Sequence, residues 1–586
     1  MRLPSLVVSL CLVVGGSAGI GCVLDDTTPN EEAATSDLTA ADRELARRAV
    51  NVIAGNSARC NQCHTASRDD IRRWGEAMKA VEDACLSPEL ELTAAQRLDC
   101  LRDDPSDPTS GWSAGKLGLY SAGARLSQLK SLFQEAFGED EWQAQYDEFL
   151  AFAAMPVGSM RGFSESDFTT VKNWALKGMP GLDEVLSEPG ASDCVPSTTP
   201  ALRAHIDEMK AEGWGARLLS ASTPMAGCGS ATDPTECFSS LPDITATMGA
   251  KNTRQTLREL RQLSFRTSYW TRSSADGRFA AFGGSPSRII DLEAPADEAP
   301  VKVDAPYDPH FFPNNDGFSY AGTRPGGLRV CKQSVLLDAL ASPERTVTFR
   351  EPGCSQIINT VYQSIGASLD GSLFLMATGA HTNDAGGSSG PLSAAFGENA
   401  TTTLTPMFND GTRYVPGRAV QVKIPFEGDQ QLSPSNKLLI TRFGQRAGTA
   451  GYRIRALKTT LTPPPVDENG NVPANALPTL DVSTTEIATV CIAGGKPQLS
   501  FDERFLALHQ YVDPNDNPHG LPTGTANIFV VDLLTGETIQ VTQVAAGQRA
   551  LYPHFRADGW LYFLVRESGK ETLVASDVAV RRAQQH

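Results

Sequence analysis

Two cysteines and a histidine near the start of the chain have the types and spacing needed for cofactor chemistry. Residues 60–64 read Cys-Asn-Gln-Cys-His, so that Cys60, Cys63 and His64 stand in Cys-x-x-Cys-His order. Two thiols at this spacing can add to the two vinyl groups of a haem, and the adjacent histidine can ligate the iron. The stretch therefore predicts one covalently bound c-type haem, held by Cys60 and Cys63, with His64 as the proximal axial ligand.

A zinc site and a redox-active disulfide are the alternatives for the same stretch. A tetrahedral zinc site needs a second ligand pair, and no further Cys-x-x-Cys or His-x-x-x-His follows in the sequence. A redox disulfide does not require His64, and no β-strand is predicted ahead of the motif, as a thioredoxin-like site would need. Haem attachment is the reading that uses all three residues.

The residues before the motif predict an amphipathic helix. Thr39 and Asp42 have the spacing of a helix N-cap, and Gly55 can end the helix directly before the motif. Its apolar face carries Leu45, Ala46, Val50 and Ile53. A helix followed at once by Cys-x-x-Cys-His resembles the first helix and haem loop of the class I cytochromes c. That resemblance implies an all-α domain that transfers single electrons.

The resemblance also implies a second axial ligand, usually a methionine ahead of the last helix of the domain. Met155-Pro156 is followed by a glycine-bearing loop, and Ser164 with Asp167 has the spacing of a capping box. This order is similar to that of the family, so Met155 is the predicted distal ligand and Met160 the second candidate. About 90 residues separate His64 from Met155, which predicts a helical insertion stapled by a disulfide.

Other roles remain open for these side chains. Methionine often fills irregular gaps in a core, and this is the alternative for Met155, Met160 and Met179. His205 would give a bis-histidine haem, but a lone histidine on a polar helix face is more often solvated.

The second half of the chain repeats a short β-prone pattern. A polar turn, in several copies Asp-Gly, precedes an apolar strand in six places: 274–284, 313–322, 368–379, 433–444, 500–511 and 556–566. The pattern resembles the TolB-like β-propeller repeat, which implies six four-stranded blades; a β-sandwich with coincidental hairpins is the alternative. Because an open ring exposes strand edges, we expect the segment 265–270 to pair with the last blade.

The N-terminus predicts export. Arg2 precedes an apolar run at 6–14 that is too short to span a bilayer, and small residues follow. Gly19-Ile20-Gly21-Cys22 resembles a bacterial lipobox, which implies a lipid on Cys22, although the family usually has leucine where Gly19 stands. A lipid-anchored and a plainly secreted protein of the periplasm or cell envelope both fit.

Cysteine content and charge agree with an exported protein. Outside the signal and the motif, an even number of cysteines remains, which favours disulfides. These are Cys85, Cys100, Cys194, Cys228, Cys237, Cys331, Cys354 and Cys491. Local pairing of Cys85 with Cys100 and of Cys331 with Cys354 is expected, though sequence does not fix the connectivity. A net charge of −17 argues against nucleic acid and anionic membrane surfaces as partners, which leaves the lipid on Cys22 as the expected membrane contact.

The predicted fold class is an all-α cytochrome c-like domain followed by an all-β propeller. The predicted divisions are a signal peptide at 1–22, a tether at 23–38, a haem domain at 39–185, a helical, cysteine-containing connector at 186–261 and a propeller at 262–586. In the connector, 251–263 is predicted to be a second, basic helix.

No catalytic motif of a known hydrolase or metalloprotease stands out in the predicted propeller. Two turns are weak calcium candidates because carboxylate and amide oxygens suit that ion: Asp513, Asn515, Asp516 and Asn517, and Asp467, Asn469 and Asn471. Four histidines next to apolar strands, His310, His381, His509 and His554, would converge on a central channel if they are not structural.

These features predict an electron carrier with an unidentified redox partner protein, whose propeller is a docking module. A propeller dehydrogenase that passes electrons to its own haem is one alternative. A haem-based sensor, which needs a weak or absent sixth ligand, is the other.

Overall fold

The computed structural model describes residues 38–585 with internal gaps. The segments outside the description are 55–67, 108–109, 156–162, 186–193, 214–222, 232, 268, 285, 306, 322–326, 349, 359–363, 369–370, 380–399, 445–449, 465–475, 513–516 and 518–519. The predicted signal peptide and all but the last residue of the predicted tether also lie outside the described residues.

The N-terminal part is helical. Its helices are α1 (Ala40–Ala54), α2 (Arg68–Val81), α3 (Ala94–Cys100), α4 (Ala114–Leu117), α5 (Ser127–Ala153), α6 (Glu165–Leu176) and α7 (Leu182–Val185). A π-helical turn at Glu82–Leu86 extends α2, and a 3₁₀ helix at Gly118–Gly123 extends α4. A disulfide joins Cys85 to Cys100. The predicted helical insertion and its disulfide are confirmed.

The two helices predicted from capping signals begin where the sequence placed them. Asp42 N donates to Thr39 Oγ1 at 3.1 Å at the start of α1. At the start of α6, Ser164 and Asp167 form a reciprocal capping box. These side chains satisfy backbone N–H groups that the first helical turn leaves unpaired, so each helix starts at a defined residue.

Twenty-four strands form six antiparallel units of four within the described part of 257–576. The first strands of blades 1 to 6 are Tyr269–Ser273, Tyr307–Phe311, Ser364–Ala367, Glu427–Leu432, Gly495–Leu499 and Arg549–Phe555. The second strands are Phe279–Gly283, Gly317–Ala321, Phe374–Thr378, Leu438–Phe443, Phe505–Tyr511 and Leu561–Glu567. The third strands are Ser287–Asp291, Gly327–Lys332, Thr401–Asn409, Gly451–Thr462, Ala526–Asp532 and Lys570–Ser576.

The fourth strands are Val301–Val303, Cys354–Ile358, Val420–Lys423, Thr479–Val490, Glu537–Gln540 and Leu257–Gln262. Short additional strands add to these units: Tyr414–Pro416 in blade 3, Thr346–Val347 beside blade 1, and Ser197–Thr198 beside blade 4. Helices occur at α8 (Pro200–Glu212), Thr245–Met248, Gln333–Ala341 and Val578–Gln585.

The first strands contact one another in a ring, in the order of blades 1, 2, 3, 4, 5, 6 and back to 1. This is the arrangement of a six-bladed propeller, with the first strands innermost. Apolar side chains between neighbouring blades form separate clusters, for example one between blades 2 and 3 that contains Phe312, Phe374 and Tyr414. The core is therefore divided among the blade interfaces.

One turn recurs six times between the first and second strands. In each copy its fourth residue has a left-handed backbone: Gly277, Asn315, Gly371, Asn436, Glu503 and Gly559. The N–H of that residue donates to the carbonyl of the first turn residue in all six copies, as from Gly277 to Ser274 at 2.9 Å. Glycine and asparagine tolerate this conformation, which explains the Asp-Gly and Ser-Asn patterns of the repeat.

Two expectations about the start of the propeller are wrong. Leu257–Gln262 is a strand, not part of a basic helix, and it pairs with Lys570–Ser576 as the outermost strand of blade 6. This strand, and not 265–270, closes the ring, and Tyr269 already belongs to the innermost strand of blade 1. The propeller therefore begins at residue 257 and the connector ends before it. Backbone pairing with a distant strand overrides the local helical pattern.

The remaining disulfides fasten the connector and one blade. Cys331–Cys354 joins two strands of blade 2, as predicted. Cys194–Cys491 ties the residues before α8 to blade 4, and Cys228–Cys237 closes a loop in the connector. The connector is thus packed on the propeller.

Candidate functional site

The Cys-x-x-Cys-His motif lies in the connection between α1 and α2. Cys60, Cys63 and His64 fall in the segment 55–67, outside the described residues. Their roles stay predictions. The structure describes the helices on either side of the motif.

The helices on either side of the motif belong to one packed unit. α1 contacts α6, and α2 contacts both α6 and the 3₁₀ helix Gly118–Gly123. Val50 and Ile53 of α1 are fully buried in the same apolar cluster as Val171 and Trp174 of α6. At the far end of this contact, Lys177 Nζ lies 3.6 Å from Asp42 Oδ1. Helices α1 and α6 therefore pack together.

The loop that carries the methionine candidates is fastened at both ends. Met155 N donates to Ser121 O at 2.8 Å, and Phe163 N donates to Ala122 O at 2.9 Å. Both acceptors lie on the buried 3₁₀ helix. The loop 156–162, which contains Met160, lies outside the described residues. The residues at its two ends, Met155 and Phe163, bond to consecutive residues of the 3₁₀ helix.

The Met155 side chain is half-buried and packs against the apolar cluster between blades 2 and 3. Met155 therefore lies where the helical region meets the propeller. The same boundary brings Arg266, from the residues just before blade 1, against Gly111 of the helical region. Met179, by contrast, is buried in the helical core, where a side chain at Gly75 would collide with its sulfur. Met179 fills core space, as expected.

His205 is not solvated. Its Nε2 atom lies 2.7 Å from Oε2 of Glu503, a fully buried carboxylate in the turn of blade 5. A second oxygen of Glu503 accepts from Ser435 N of blade 4 at 2.8 Å. The histidine therefore holds α8 to the junction of two blades, a packing role that a sequence pattern of exposed helix positions does not reveal.

Two of the four propeller histidines converge on the central channel. His310, on the first strand of blade 2, and His554, on the first strand of blade 6, line one cavity together with Arg272 and Gln498. His509 lies on the second strand of blade 5, packs edge-on against Tyr552 and does not line that cavity. His381 lies outside the described residues.

These histidines are neutral in the folded protein. Burial lowers the pKa of His310 and of His554 to about 3, with a further contribution from the Arg272 guanidinium. Burial also lowers the pKa of His509 to about 3, with a contribution from Lys496. The channel therefore presents imidazole rings beside permanent positive charge.

Arg272 and Gln498 were missed at the sequence level. Both stand two residues before the recurring turn, which is also the position of His310 and His554. Aligning the six repeats on the turn would have placed these four side chains in one column.

The described residues give no support to the metal-site candidates. Most of the proposed calcium ligands, in 467–471 and 513–516, lie outside the described residues. Asn517 uses its side-chain oxygen to accept from Leu521 N at 2.8 Å. Cys228, Cys237 and Asp558 lie close together, but the two sulfurs are joined in a disulfide and offer no thiolate.

Among the described residues, no helix combines the length and apolar character that crossing a membrane requires.

No protein-family model matches the chain, and no curated protein matches it. Among solved structures, it is similar to the β-propeller domain of Cps50 (Swd1) from Myceliophteria thermophila, at 10% identity and a TM-score of 0.30, over 54% of this chain and 99% of that chain. It is also similar to TolB from Acinetobacter baumannii, at 11% identity and a TM-score of 0.27, over 58% of this chain and 66% of that chain. For the acylaminoacyl peptidase of Pyrococcus horikoshii the identity is 10%, the TM-score 0.26 and the coverage 55% and 43%. The fold described above rests on the strand pairing within this chain, not on these likenesses.

Proposed function

We propose that this protein binds one c-type haem in its helical region and transfers single electrons in the cell envelope, with a TolB-like propeller as docking module. The observation that carries the proposal is the position of the Cys-x-x-Cys-His motif. It directly follows α1, and α1 packs on the capped helix α6.

The apolar character of the described residues that flank the motif segment supports the proposal of a haem. The residues next to the two loops that would enclose it, Ile53, Ile71, Ala154 and Phe163, all lie in one apolar cluster. An apolar surround excludes water and favours the reduced iron, because it disfavours the extra charge of the ferric state. This apolar cluster supports the proposal of a low-spin electron-transfer site.

Each motif residue has a role in this proposal. Cys60 and Cys63 hold the porphyrin through thioether bonds, His64 is the proximal ligand, and Met155 is the distal ligand, with Met160 as runner-up. The haem, when bound, supplies an iron that changes between two oxidation states. The chain positions it, keeps water away and presents its edge to a partner.

The test is a visible absorption spectrum of protein produced in a strain that attaches c-type haem. We expect covalent haem, sharp low-spin bands after reduction with dithionite, and a weak far-red sulfur-to-iron band in the oxidised form. Cys60→Ser with Cys63→Ser should abolish covalent attachment. Cys228→Ser with Cys237→Ser removes another closely spaced cysteine pair and should leave the spectrum unchanged. Protein without haem in all cases would contradict the proposal.

Methionine variants identify the distal ligand. Met155→Leu should remove the far-red band, whereas Met160→Leu should keep it. The reverse result would assign the role to Met160. Because Met155 also packs against the propeller, the folded state of each variant is checked by circular dichroism.

The same spectrum separates the alternatives. A high-spin spectrum that shifts readily with carbon monoxide would replace the carrier with a haem sensor. A propeller dehydrogenase is favoured by the convergence of His310 and His554 beside Arg272. It predicts that a channel-bound substrate reduces the haem without added reductant.

Export and lipid attachment are part of the proposal. Radiolabelled palmitate should label the protein in bacterial cells, and Cys22→Ser should remove the label. Recovery of the unlabelled wild-type protein from the soluble periplasmic fraction would indicate plain secretion instead.

A further inference from the structure

The six innermost strands carry a polar column around the channel. Two residues before each recurring turn, blades 1, 2, 4, 5 and 6 have Arg272, His310, Gln431, Gln498 and His554, and blade 3 has Gly366. All five side chains are buried, with at most 9% of each residue exposed. Buried polar groups with a purely structural role have hydrogen-bond partners within the protein. We therefore ask which groups of this column have such partners.

Strand bulges place these side chains. In blades 1, 2, 4, 5 and 6 the pairing of first and second strands shifts register just before the column. Blade 3, which has glycine in the column, has no such shift. Bulges re-aim side chains and cost regular pairing. Their coincidence with the polar residues shows that the inner strands are built to direct these groups.

The two histidines face the cavity with the same nitrogen. Nδ1 of His310 lies 2.7 Å from Phe311 O, and Nδ1 of His554 lies 3.0 Å from Tyr552 O. A carbonyl only accepts, so Nδ1 carries the proton of each neutral ring and Nε2 carries the lone pair. Neither Nε2 atom has a hydrogen-bond partner among the described residues.

Further unsatisfied acceptors lie in the same column. Gln498 Oε1 and Gln431 Oε1 are also buried without a partner among the described residues. His310, His554 and Gln498 line one partly open cavity, in which the centres of water-sized molecules can occupy about 30 Å³. A buried acceptor left unpaired costs roughly 1–3 kcal/mol. Three of them around one cavity can therefore each accept a hydrogen bond from a bound molecule.

Positive charge surrounds the same channel. The guanidinium carbon of Arg272 lies 4.4 Å from the centre of the Trp270 ring, and Lys496 Nζ lies 4.0 Å from the centre of the same ring. Arg442 Nε is 3.0 Å from Asp429 Oδ2, the carboxylate that also faces Lys496 at 3.7 Å. Arg442 and Lys496 thus share the Asp429 carboxylate, and together with Arg272 these four side chains carry a net positive charge in a chain whose net charge is −17. An anion is favoured here and a metal cation is not.

We propose that this cavity binds a small organic carboxylate that also carries hydroxyl groups. The carboxylate faces Arg272, and the hydroxyls donate to Nε2 of His310 and His554 and to Oε1 of Gln498. Apolar walls from Phe311, Phe501 and Phe555 enclose the carbon skeleton. The proposal does not depend on the haem.

Three probes of one carbon skeleton test it by calorimetric titration of the full chain. Glycerate has the carboxylate and the hydroxyls, propionate lacks the hydroxyls, and glycerol lacks the carboxylate. We expect glycerate to bind at least tenfold more tightly than propionate, and glycerol not to bind. Arg272→Gln should weaken glycerate binding about 10- to 100-fold, the range for a hydrogen bond to a charged group.

His509 provides the matched control. It is a buried histidine of the same channel region but does not line the cavity. His554→Phe removes one of the three acceptors and should reduce the difference in affinity between glycerate and propionate, whereas His509→Phe should leave glycerate affinity within twofold. If a variant fails to fold, imidazole ¹⁵N spectra of the wild-type protein take its place: glycerate should shift two Nε2 resonances and leave the other histidines unchanged.

Three results would overturn the proposal. Equal affinity for glycerate and propionate would remove the role of the acceptors. Equal loss of glycerate affinity in His554→Phe and His509→Phe would make the effect structural. Tight binding of Zn²⁺ alone, abolished by His554→Phe, would make the pair of histidines a metal site.

Discussion

Glu427 shows how the innermost strands hold charge without water. The carboxylate is fully buried and lies 2.6 Å from Arg453 Nη1 and 2.7 Å from Arg455 Nη1. Thr441 Oγ1 donates to it as well. A buried charge is tolerated only when its hydrogen bonds are made, and removal of one partner leaves the other uncompensated.

Replacement of Glu427 therefore tests the cost of an uncompensated charge. Glu427→Gln keeps the shape but leaves Arg455 buried without its counter-ion, and we expect a loss of about 3–5 kcal/mol in the free energy of unfolding. Denaturant unfolding followed by far-ultraviolet circular dichroism measures it. Asp83→Ala breaks the exposed Lys79–Asp83 pair and should cost under about 0.5 kcal/mol. Equal effects of the two substitutions would contradict the argument.

Buried histidines give the propeller a pH dependence. His310, His509 and His554 have a folded-state pKa near 3, against about 6.5 in the unfolded chain. The unfolded state then binds more protons between about pH 6.5 and 3, so stability falls as pH decreases through that window. Each ring contributes up to about 1.4 kcal/mol per pH unit.

Denaturation midpoints at pH 7.5 and pH 5.5 check this expectation. The midpoint should be lower at pH 5.5, and His509→Gln should reduce the difference because one of the three rings no longer titrates. A midpoint that is the same at both pH values would show that these rings are not buried in their neutral form.

At the level of elements, the closing strand Leu257–Gln262 completes blade 6. Leu257 is fully buried there, in an apolar cluster with residues of blades 5 and 6. Leu257→Ala should destabilise the propeller by about 2–5 kcal/mol, the range for a buried leucine in a close-packed core. Unfolding by denaturant measures the change. Val195→Ala, at a residue that is 73% exposed, should change stability by under about 0.5 kcal/mol.

Local signals and distant pairing differ in how well sequence reveals them. Residues within a few positions of each other determine the caps of α1 and α6 and the six turns. Short sequence patterns therefore predict these features. The closing strand pairs Gln262 with Thr572, about 310 positions later, and no local pattern records that. The polar column around the channel was not predicted for a related reason. Its residues occupy equivalent positions in different blades, and this equivalence is seen only when the six repeats are aligned.

At the scale of the whole molecule, Cys194–Cys491 links the connector to blade 4 across a sequence separation of 297 residues. A cross-link that closes a longer loop restricts the unfolded chain more, and a 15-residue loop already contributes about 3 kcal/mol in that description. Cys194→Ser with Cys491→Ser should therefore cost more than Cys85→Ser with Cys100→Ser, whose separation is 15.

Denaturation without reductant ranks the two pairs, with tryptophan fluorescence reporting both regions. A larger loss from the shorter loop would show that native packing at Cys85–Cys100, and not loop length, governs the difference.

The ring closure also bears on how the chain is made. Ribosomes produce Leu257–Gln262 long before its partner strand, so this segment spends most of synthesis as an unsatisfied edge. Such edges invite aggregation, and charged side chains act as gatekeepers against it. Arg258, Glu259 and Arg261 supply these charges. The charged residues that give this segment its helix-like sequence pattern therefore also limit aggregation of the unpaired strand until blade 6 is complete.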